Sequence, residues 1–214
     1  MTVTEAMAAR TSIRAYKTDP IDKAVLIEII EKAARTPSWA NTQPWEVYIA
    51  AGDSLGRIRQ GFADNYKNAV KSMTDIPRPT DWPQAAKDRT IQLRPDMERD
   101  CGGDADQFGE MNQKMFNAPA VYYLCLDKGY SPWSLYDLGA FAQSIVLLAQ
   151  ERGLSTIPAI MAVAYPDVVR RELNIPDNIN IAIGIPIGYM DDTNGLNKFH
   201  SARKPMSETV KYCP

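Results

Sequence analysis

The segment from Pro132 to Arg152 constrains the fold most, because it predicts a helix that is apolar on most of its sides. Ser131 suits the N-cap and Gly153 suits the left-handed residue beyond the last turn. Its apolar residues, with the last two outside the main stripe, are Leu135, Leu138, Phe141, Ala142, Ile145, Leu148, Ala149, Val146 and Leu147. A helix that is apolar on most sides is buried on most sides. In a chain of 214 residues, we expect it at the centre of a subunit interface.

Other periodic patterns predict a mixture of helices and strands. Helical spacing covers residues 21–35, a segment from Asp53 or Ser54 to about Ser72, and residues 106–117. Strands are predicted at 45–51, 120–127 and 179–189, with a short one near 209–212. Gly184 and Pro186 mark a bulge or a close approach in the third strand. The mixed order predicts an α+β (mixed α/β) fold with helices covering a central sheet, in one domain over residues 1–214.

Residues 73–109 interrupt this pattern with prolines, glycines and charges. The segment is too long for an ordinary connection, and such excursions are often lids or binding segments. A short helix is predicted at about 84–93. Trp82 and Phe108 give the excursion apolar side chains to pack with, so we interpret it as a lid and not a linker. We expect its removal between residues 77 and 103 to leave a ligand site elsewhere intact.

Composition and charge exclude several classes of protein. Hydrophobic residues make up 45% and charged residues 23% of the chain, which is typical of globular proteins. A net charge of −2 argues against nucleic acid or an anionic membrane as the partner, and no apolar run approaches the roughly 18–20 residues that span a bilayer. Three dispersed cysteines and a single histidine, His200, argue against a zinc site and for a reducing, cytoplasmic location.

Two basic clusters are candidates for binding a phosphate. Side chains alternate in an extended segment, so Arg10, Ser12 and Arg14 would share one face, with Thr11 between them. Forked guanidinium donors and a hydroxyl, with no acid beside them, suit a phosphate. Arg203, followed by a lysine, forms a second possible clamp near the other end of the chain. A solvated basic surface is the alternative for each cluster taken alone.

Two loops could contact the rest of a ligand. The loop at residues 37–45 (PSWANTQPW) holds two prolines, two indoles and the amides of Asn41 and Gln43. An amide carries both a donor and an acceptor, as recognition of a uracil-like edge requires. The loop at 153–160, just after the apolar helix, could present a backbone N–H. The alternatives are an ordinary polar loop and an ordinary helix stop.

In this order, the segments RTSIR, PSWANTQPW, APAVYYLCL, DLGAFAQSIVLLAQERGLSTIP, AIGIPIGY and ARKP resemble the FMN-dependent nitroreductase family. The resemblance covers nearly the whole chain and is weakest at 73–109. It implies a central, mostly antiparallel sheet in an intertwined homodimer, with FMN as the cofactor. It also implies that electrons pass from NAD(P)H to a small nitroaromatic or quinone acceptor by a ping-pong mechanism. No catalytic side chain and no metal are implied.

The resemblance also assigns roles to residues. The FMN phosphate would be held by Arg10, Ser12 and Arg203, and Thr11 would lie beside it. Arg14 would lie near the pyrimidine side of the flavin ring. The other subunit would contribute Pro37, Ser38, Trp39 and Asn41, supported by Gln43. Asn65 would contact the ring or the ribityl chain, and the backbone of Pro158, Ala159 and Ile160 would follow the flavin edge with one N–H near N5.

Two departures from the family pattern affect the expected pocket. Trp39 stands where small residues are common in the family, so we expect it either to narrow the mouth of the pocket or to offer a stacking face there. Ile160 and Met161 replace an acidic residue and a glycine, which makes this edge more apolar. The alternatives are a related flavoenzyme (ene-reductase, flavin destructase or deiodinase-like), a non-catalytic flavin-binding or interaction protein, and a soluble α/β domain without a cofactor. A deiodinase-like lid needs an acid, a lysine and a tyrosine, and residues 73–109 contain no tyrosine.

Overall fold

The computed structural model describes residues 1–213, in which helices flank a single four-stranded sheet. The helices are α1 (Val3–Ala9), α2 (Lys23–Ala33), α3 (Gly52–Lys67), α4 (Gln84–Cys101), α5 (Phe108–Gln113), α6 (Pro132–Glu151), α7 (Pro166–Leu173) and α8 (Met206–Thr209). The strands are β1 (Trp45–Ala51), β2 (Ala120–Asp127), β3 (Ser155–Thr156) and β4 (Ile179–Gly188). Short 3-10 turns occur at Trp39–Asn41, Gly102–Gln107, Met115–Asn117, Ile160–Val163 and Gly195–Lys198.

The four strands form an antiparallel sheet in the order β1-β2-β4-β3. All residues of β2 except its last, Asp127, are buried. Alternate side chains of β2 enter two different cores, one with α2 and α6 and the other with α3, α7 and the turn at 160–163. Burial on both faces explains why β2 reads as a nearly continuous apolar run. The α+β class and the antiparallel sheet predicted above are confirmed.

Helix α6 crosses one face of the sheet, and its ends follow the predicted signals. The Ser131 hydroxyl accepts a hydrogen bond from the Ser134 N–H, and Gly153 has φ of +70°. Val146, predicted to lie outside the core-facing stripe, is 4% exposed within the single chain, where α1 and α2 both contact α6. Part of the all-round apolar character is therefore explained without a second subunit.

The excursion is more ordered than its sequence predicts. The helix predicted at 84–93 continues through Pro95 to Cys101. Met97 and Cys101 are buried together with Leu196 and Phe199. Arg94 adds hydrogen bonds to Glu98, the Ala105 carbonyl and Asp106. Together with the packing, these bonds offset the loss of the helical hydrogen bond that Pro95 cannot donate.

Two further predictions about local structure were wrong. The helix expected to reach Ser72 ends at Lys67, where Ala69 adopts φ of +53° and Val70 donates to the Asn65 carbonyl. The short strand expected near 209–212 is absent from the described residues, and α8 ends just there. Strand-forming side chains at that point have no neighbouring strand to pair with, and pairing is what stabilises a strand.

Candidate functional site

A small cavity of about 70 Å³ brings together basic residues from the two ends of the chain. Three of the residues that line the cavity are arginines, and its lining within the described residues contains no aspartate or glutamate. The lining consists of Arg10, Thr11, Ser12, Arg14, Phe199, His200, Ser201 and Arg203. Five of these are residues that the sequence predicted as phosphate or flavin contacts. Guanidinium and hydroxyl groups without a competing carboxylate form a pocket for an anion.

The first wall of this cavity, residues 10–14, is an extended segment at the edge of the sheet. Ser12 forms a parallel bridge with Thr156 of β3, and the Ile13 N–H donates to the Thr156 carbonyl at 3.2 Å. Ile13 points into the core and is 2% exposed. The side chains of Ser12 and Arg14 therefore lie on the other face, as alternation requires.

The guanidinium of Arg14 is held from two sides. Its Nη1 donates to the Ser12 carbonyl at 2.7 Å, and its central carbon lies 4.9 Å from the centre of the Phe199 ring. The buried Nε has no hydrogen-bond partner within the described residues. Burial lowers the pKa of Arg14 from its ordinary value, but an arginine stays charged at physiological pH. The side chain is thus a fixed cation with donor capacity left over.

The second wall, residues 199–203, is carried by the turn at 195–198 and is supported by α4. Phe199 is 1% exposed and packs with Met97 and Cys101. Arg203 is exposed, and its Nη1 donates to the carbonyls of Ser201 and Ala202 and to the Ser201 hydroxyl. Trimming at 77–103 would remove Met97 and Cys101 from under Phe199. The structure therefore gives a reason to expect that this trimming disturbs the second wall, so variants that test the excursion must leave Met97 and Cys101 in place.

The loop at residues 37–43 lies apart from this cavity, whose described lining includes none of its residues. The Trp39 N–H donates to the carboxylate of Asp137 on α6 at 3.0 Å, and the Gln43 N–H donates to the Ser38 hydroxyl at 2.9 Å. The Gln43 amide reaches Asn41 at 3.2 Å. Trp39 is 68% exposed, and Pro37 is exposed too. The loop is thus internally bonded and presents an indole to its surroundings.

The turn after β3 presents an unpaired backbone donor at Ile160. Pro158 has no N–H, and the Ala159 N–H donates to the Gly184 carbonyl at 2.8 Å. The Ile160 N–H makes no hydrogen bond within the described residues. A Cβ on Gly184 would lie 2.5 Å from the Ala162 Cβ, so glycine allows this turn to lie against β4, which confirms the predicted close approach. Of the three predicted backbone contacts, only Ile160 offers a free N–H.

Asn65 lies in a different groove, at the end of α3. That groove is lined by residues 70–75 and 164–167 as well. Its wall is fixed by Asp75, which accepts from Arg170 at 3.0 Å and from the Ile181 N–H at 2.8 Å. Within one chain, the structure therefore does not bring Asn65 to the arginine cavity.

Sequence reasoning missed Phe199, Ser201 and His200 as lining residues, although they immediately precede Arg203. In the sequence analysis His200 served only as the single histidine that argues against a zinc site. Its Nδ1 lies 2.8 Å from the Lys198 carbonyl. The described residues contain no cluster of three or more metal-binding side chains. None of the helices within residues 1–213 combines the length and the apolar character that crossing a bilayer requires.

An α+β protein with an arginine-lined cavity at one sheet edge is the class that this fold and this cavity define. The sequence model of the Nitroreductase family matches residues 7–189. The chain belongs to that family.

Characterised relatives and a solved structure match over nearly the full length. The chain is 27% identical over 212 residues to a chloronitrobenzene nitroreductase of Comamonas testosteroni, covering 95% of this chain and 93% of the relative. It is 28% identical over 207 residues to a 4-nitrobenzoate reductase of Pseudomonas putida, covering 92% and 89%. The crystal structure of the FMN and NADPH-dependent nitroreductase NfnB from Sphigopyxis sp. strain HMH superposes with a TM-score of 0.91 at 25% identity, covering 100% of both chains.

Proposed function

We propose that this protein is an FMN-dependent oxidoreductase that passes electrons from NAD(P)H to a small nitroaromatic acceptor by a ping-pong mechanism. The observation that carries the proposal is the cavity that Arg10, Arg14 and Arg203 line together, with no acidic residue in its described lining. Family membership and the names of the relatives, which include two nitroaromatic reductases, support the same reaction.

The residues present fit FMN at two points. The cavity supplies guanidinium and hydroxyl donors for a phosphate, and the buried Nε of Arg14 is a donor without a protein partner. The free N–H of Ile160 supplies a neutral donor at an apolar edge, as a flavin ring edge requires. These residues explain binding of a phosphorylated, planar cofactor better than binding of a free anion.

The chain's own residues would bind and orient the cofactor and would not react with the substrate. Arg10, Ser12 and Arg203 would hold the phosphate, and the fixed charge of Arg14 would favour added electron density nearby. The Ile160 N–H would donate to the ring edge. When bound, FMN supplies the redox chemistry, because its ring takes up two electrons from a nicotinamide and releases them to an acceptor.

We further propose a homodimer in which each site is completed by the partner's loop at 37–43. Trp39, Trp133 and Tyr136 are exposed by 68%, 64% and 72% in the single chain. The Trp39 N–H is bonded to Asp137, on the same turn of α6 as Tyr136, so these aromatic side chains belong to one region. Exposed aromatic side chains concentrated in one region are typical of an interaction surface.

We propose that residues 1–214 form one domain and that the exposed part of the excursion is a lid over the acceptor. Met73 and Asp75 fix its start, since the Met73 N–H donates to the Ala164 carbonyl at 3.0 Å. Trp82 and Ile91, exposed by 41% and 72%, line one shallow groove near its tip. We also propose a cytoplasmic location, which the three free thiols support, with no nucleic acid or membrane as a partner.

The absorption spectrum of the purified protein tests the proposal. We expect a yellow protein whose flavin band bleaches on anaerobic addition of NADH or NADPH and returns on addition of a nitroaromatic compound. A yellow protein that neither nicotinamide bleaches is a flavin-binding protein without this activity. Recovery of the flavin band on addition of an activated alkene, without recovery on addition of a nitroaromatic compound, would favour an ene-reductase. A protein that binds no FMN would overturn the proposal.

A further inference from the structure

The two walls of the arginine cavity are joined through one buried side chain, Asn197. It lies in the turn at 195–198, two residues before Phe199, and is 8% exposed. Its Oδ1 accepts from the Arg14 N–H at 2.7 Å and from the Ala15 N–H at 3.1 Å. Its Nδ2 donates to the carbonyls of Ala15 and Asp191, both at 2.9 Å. The amide therefore uses both acceptor sites and both donor hydrogens.

These bonds link the segment that carries Arg14 to the turn that leads to Arg203. The main chain of Arg14 makes no other hydrogen bond through its N–H within the described residues. Ser12 and Ile13 are tied to β3 instead. Asn197 thus fixes where Arg14 stands relative to Phe199, whose ring lies under its guanidinium.

The geometry points to Asn197 as a positioning residue that sets the spacing of the cofactor-phosphate clamp without touching the cofactor. This inference rests on the proposed binding of FMN in the arginine cavity. Only an amide fits the role, because two donors and two acceptors must be satisfied by a short, neutral side chain. An aspartate has the same shape, but it lacks both donors and would place a negative charge against two carbonyls. The turn would then move away from residues 14 and 15, and the clamp would widen.

The test compares FMN with riboflavin, which lacks the phosphate, in titrations of the flavin-free protein. The measured quantity is the ratio of the riboflavin and FMN dissociation constants. For Asn197→Asp we expect this ratio to fall by about 10-fold or more, the effect of losing a charge-assisted bond. The rate of flavin reduction by the preferred nicotinamide in FMN-saturated enzyme should change less than this ratio, because Ser12 and Ile13 still tie the segment that carries Arg14 to β3.

Asn194→Ala is the matched control. Asn194 caps the same turn by accepting from the Leu196 N–H at 3.0 Å, and none of its three recorded hydrogen bonds is to residue 14 or 15. It should lower the thermal midpoint while leaving the ratio unchanged. If Asn197→Asp is not recovered folded, Asn197→Gln serves in its place, since the extra methylene displaces the same four bonds, and the ratio must fall there too.

The outcomes separate this inference from the proposed function. If wild type prefers FMN over riboflavin and the Asn197 variants keep that preference, Asn197 is only a structural residue and the inference is overturned. The inference is also overturned if Asn194→Ala lowers the ratio of dissociation constants as much as Asn197→Asp does. If wild type itself binds both flavins alike, the phosphate site is not in the arginine cavity, and the proposed function and this inference are both overturned.

Discussion

The guanidinium of Arg14 lies over the ring of Phe199 at 4.9 Å, so a cation from the start of the chain rests on an aromatic side chain from near its end. We expect Phe199→Leu to keep the buried volume largely filled but to remove the cation–π contact, which is worth about 0.5–2 kcal/mol. FMN affinity should fall several-fold, and the thermal midpoint should fall slightly. Phe108→Leu is the control, because this ring packs on Phe116 and against the cluster that holds Phe199, while the recorded contact of Arg14 is with the Phe199 ring. Equal FMN affinity in the two variants would contradict a role for the Phe199 ring.

Arg203→Ala and Arg10→Ala test the phosphate clamp directly. A hydrogen bond to a charged group contributes about 1.5–3 kcal/mol, so each variant should lose roughly 10- to 100-fold in FMN affinity. Riboflavin binding should be nearly indifferent to the change. Hydride transfer in the saturated variant, followed by stopped flow, should be close to wild type. If FMN and riboflavin suffer equally, these arginines do not contact the phosphate.

Tyr136→Glu tests the subunit interface. A charge placed among the exposed side chains of α6 should dissociate the dimer, because obligate interfaces commonly bury more than about 2,000 Å² and exclude unpaired charges. Analytical ultracentrifugation should show a dimer for wild type and a lighter species with weakened FMN binding for the variant. Tyr66→Glu is the control, since Tyr66 is 61% exposed but lies on α3. A wild-type monomer with full flavin occupancy would rule out shared sites.

The three thiols should differ in reactivity towards iodoacetamide. Burial raises the pKa of Cys125 to about 12 and also raises the pKa of Cys101. A raised thiol pKa leaves less thiolate at a given pH, and thiolate is the reactive form. Mass spectrometry of the native protein at about pH 8 should therefore find Cys213 alkylated first, since it is exposed. Early labelling of Cys101 would mean that α4 separates from Phe199 in solution.

Trp82→Ala combined with Ile91→Ala tests the proposed lid without disturbing the packing under Phe199. FMN affinity and the rate of reduction by the nicotinamide should stay near wild type. The ranking of nitroaromatic and quinone acceptors in the oxidative half-reaction should change, because loops on a rigid scaffold commonly set specificity. Met97→Ala is the contrasting variant and should lower stability and FMN affinity together. An unchanged ranking in the double variant would remove the lid from acceptor selection.

The sheet could be predicted from sequence because its strands are bounded by strong local signals. β1 and β2 begin and end where predicted, since apolar runs there stop at a glycine or a charged residue. Helix α4 could not be predicted in full, because its last turns are stabilised by Leu196 and Phe199, far away in sequence. The apolar pattern of residues 132–152 predicted only burial at a subunit interface. Periodicity does not reveal that α1 and α2 of the same chain also cover α6.

The candidate site was predictable where a pattern required one chemistry and not where packing decided the outcome. Alternation placed Ser12 and Arg14 on one face, and the structure agrees. No spacing in the sequence links Asn197 to Arg14, because their contact depends on how two chain segments meet at a sheet edge. The assignments of residues 37–43 and of Asn65 to the flavin stay predictions, since one chain does not bring them to the arginine cavity.

The arginine cavity has one wall from residues 10–14 and another from residues 199–203. During synthesis the first wall leaves the ribosome early, but the second wall emerges only after residues 15–198 have been translated. A nascent chain therefore has only the first wall of the cavity while the sheet is being assembled. A product cut short before Phe199 would keep all four strands and still lack the second wall. If this cavity holds the cofactor phosphate, cofactor loading follows synthesis of residues 199–203.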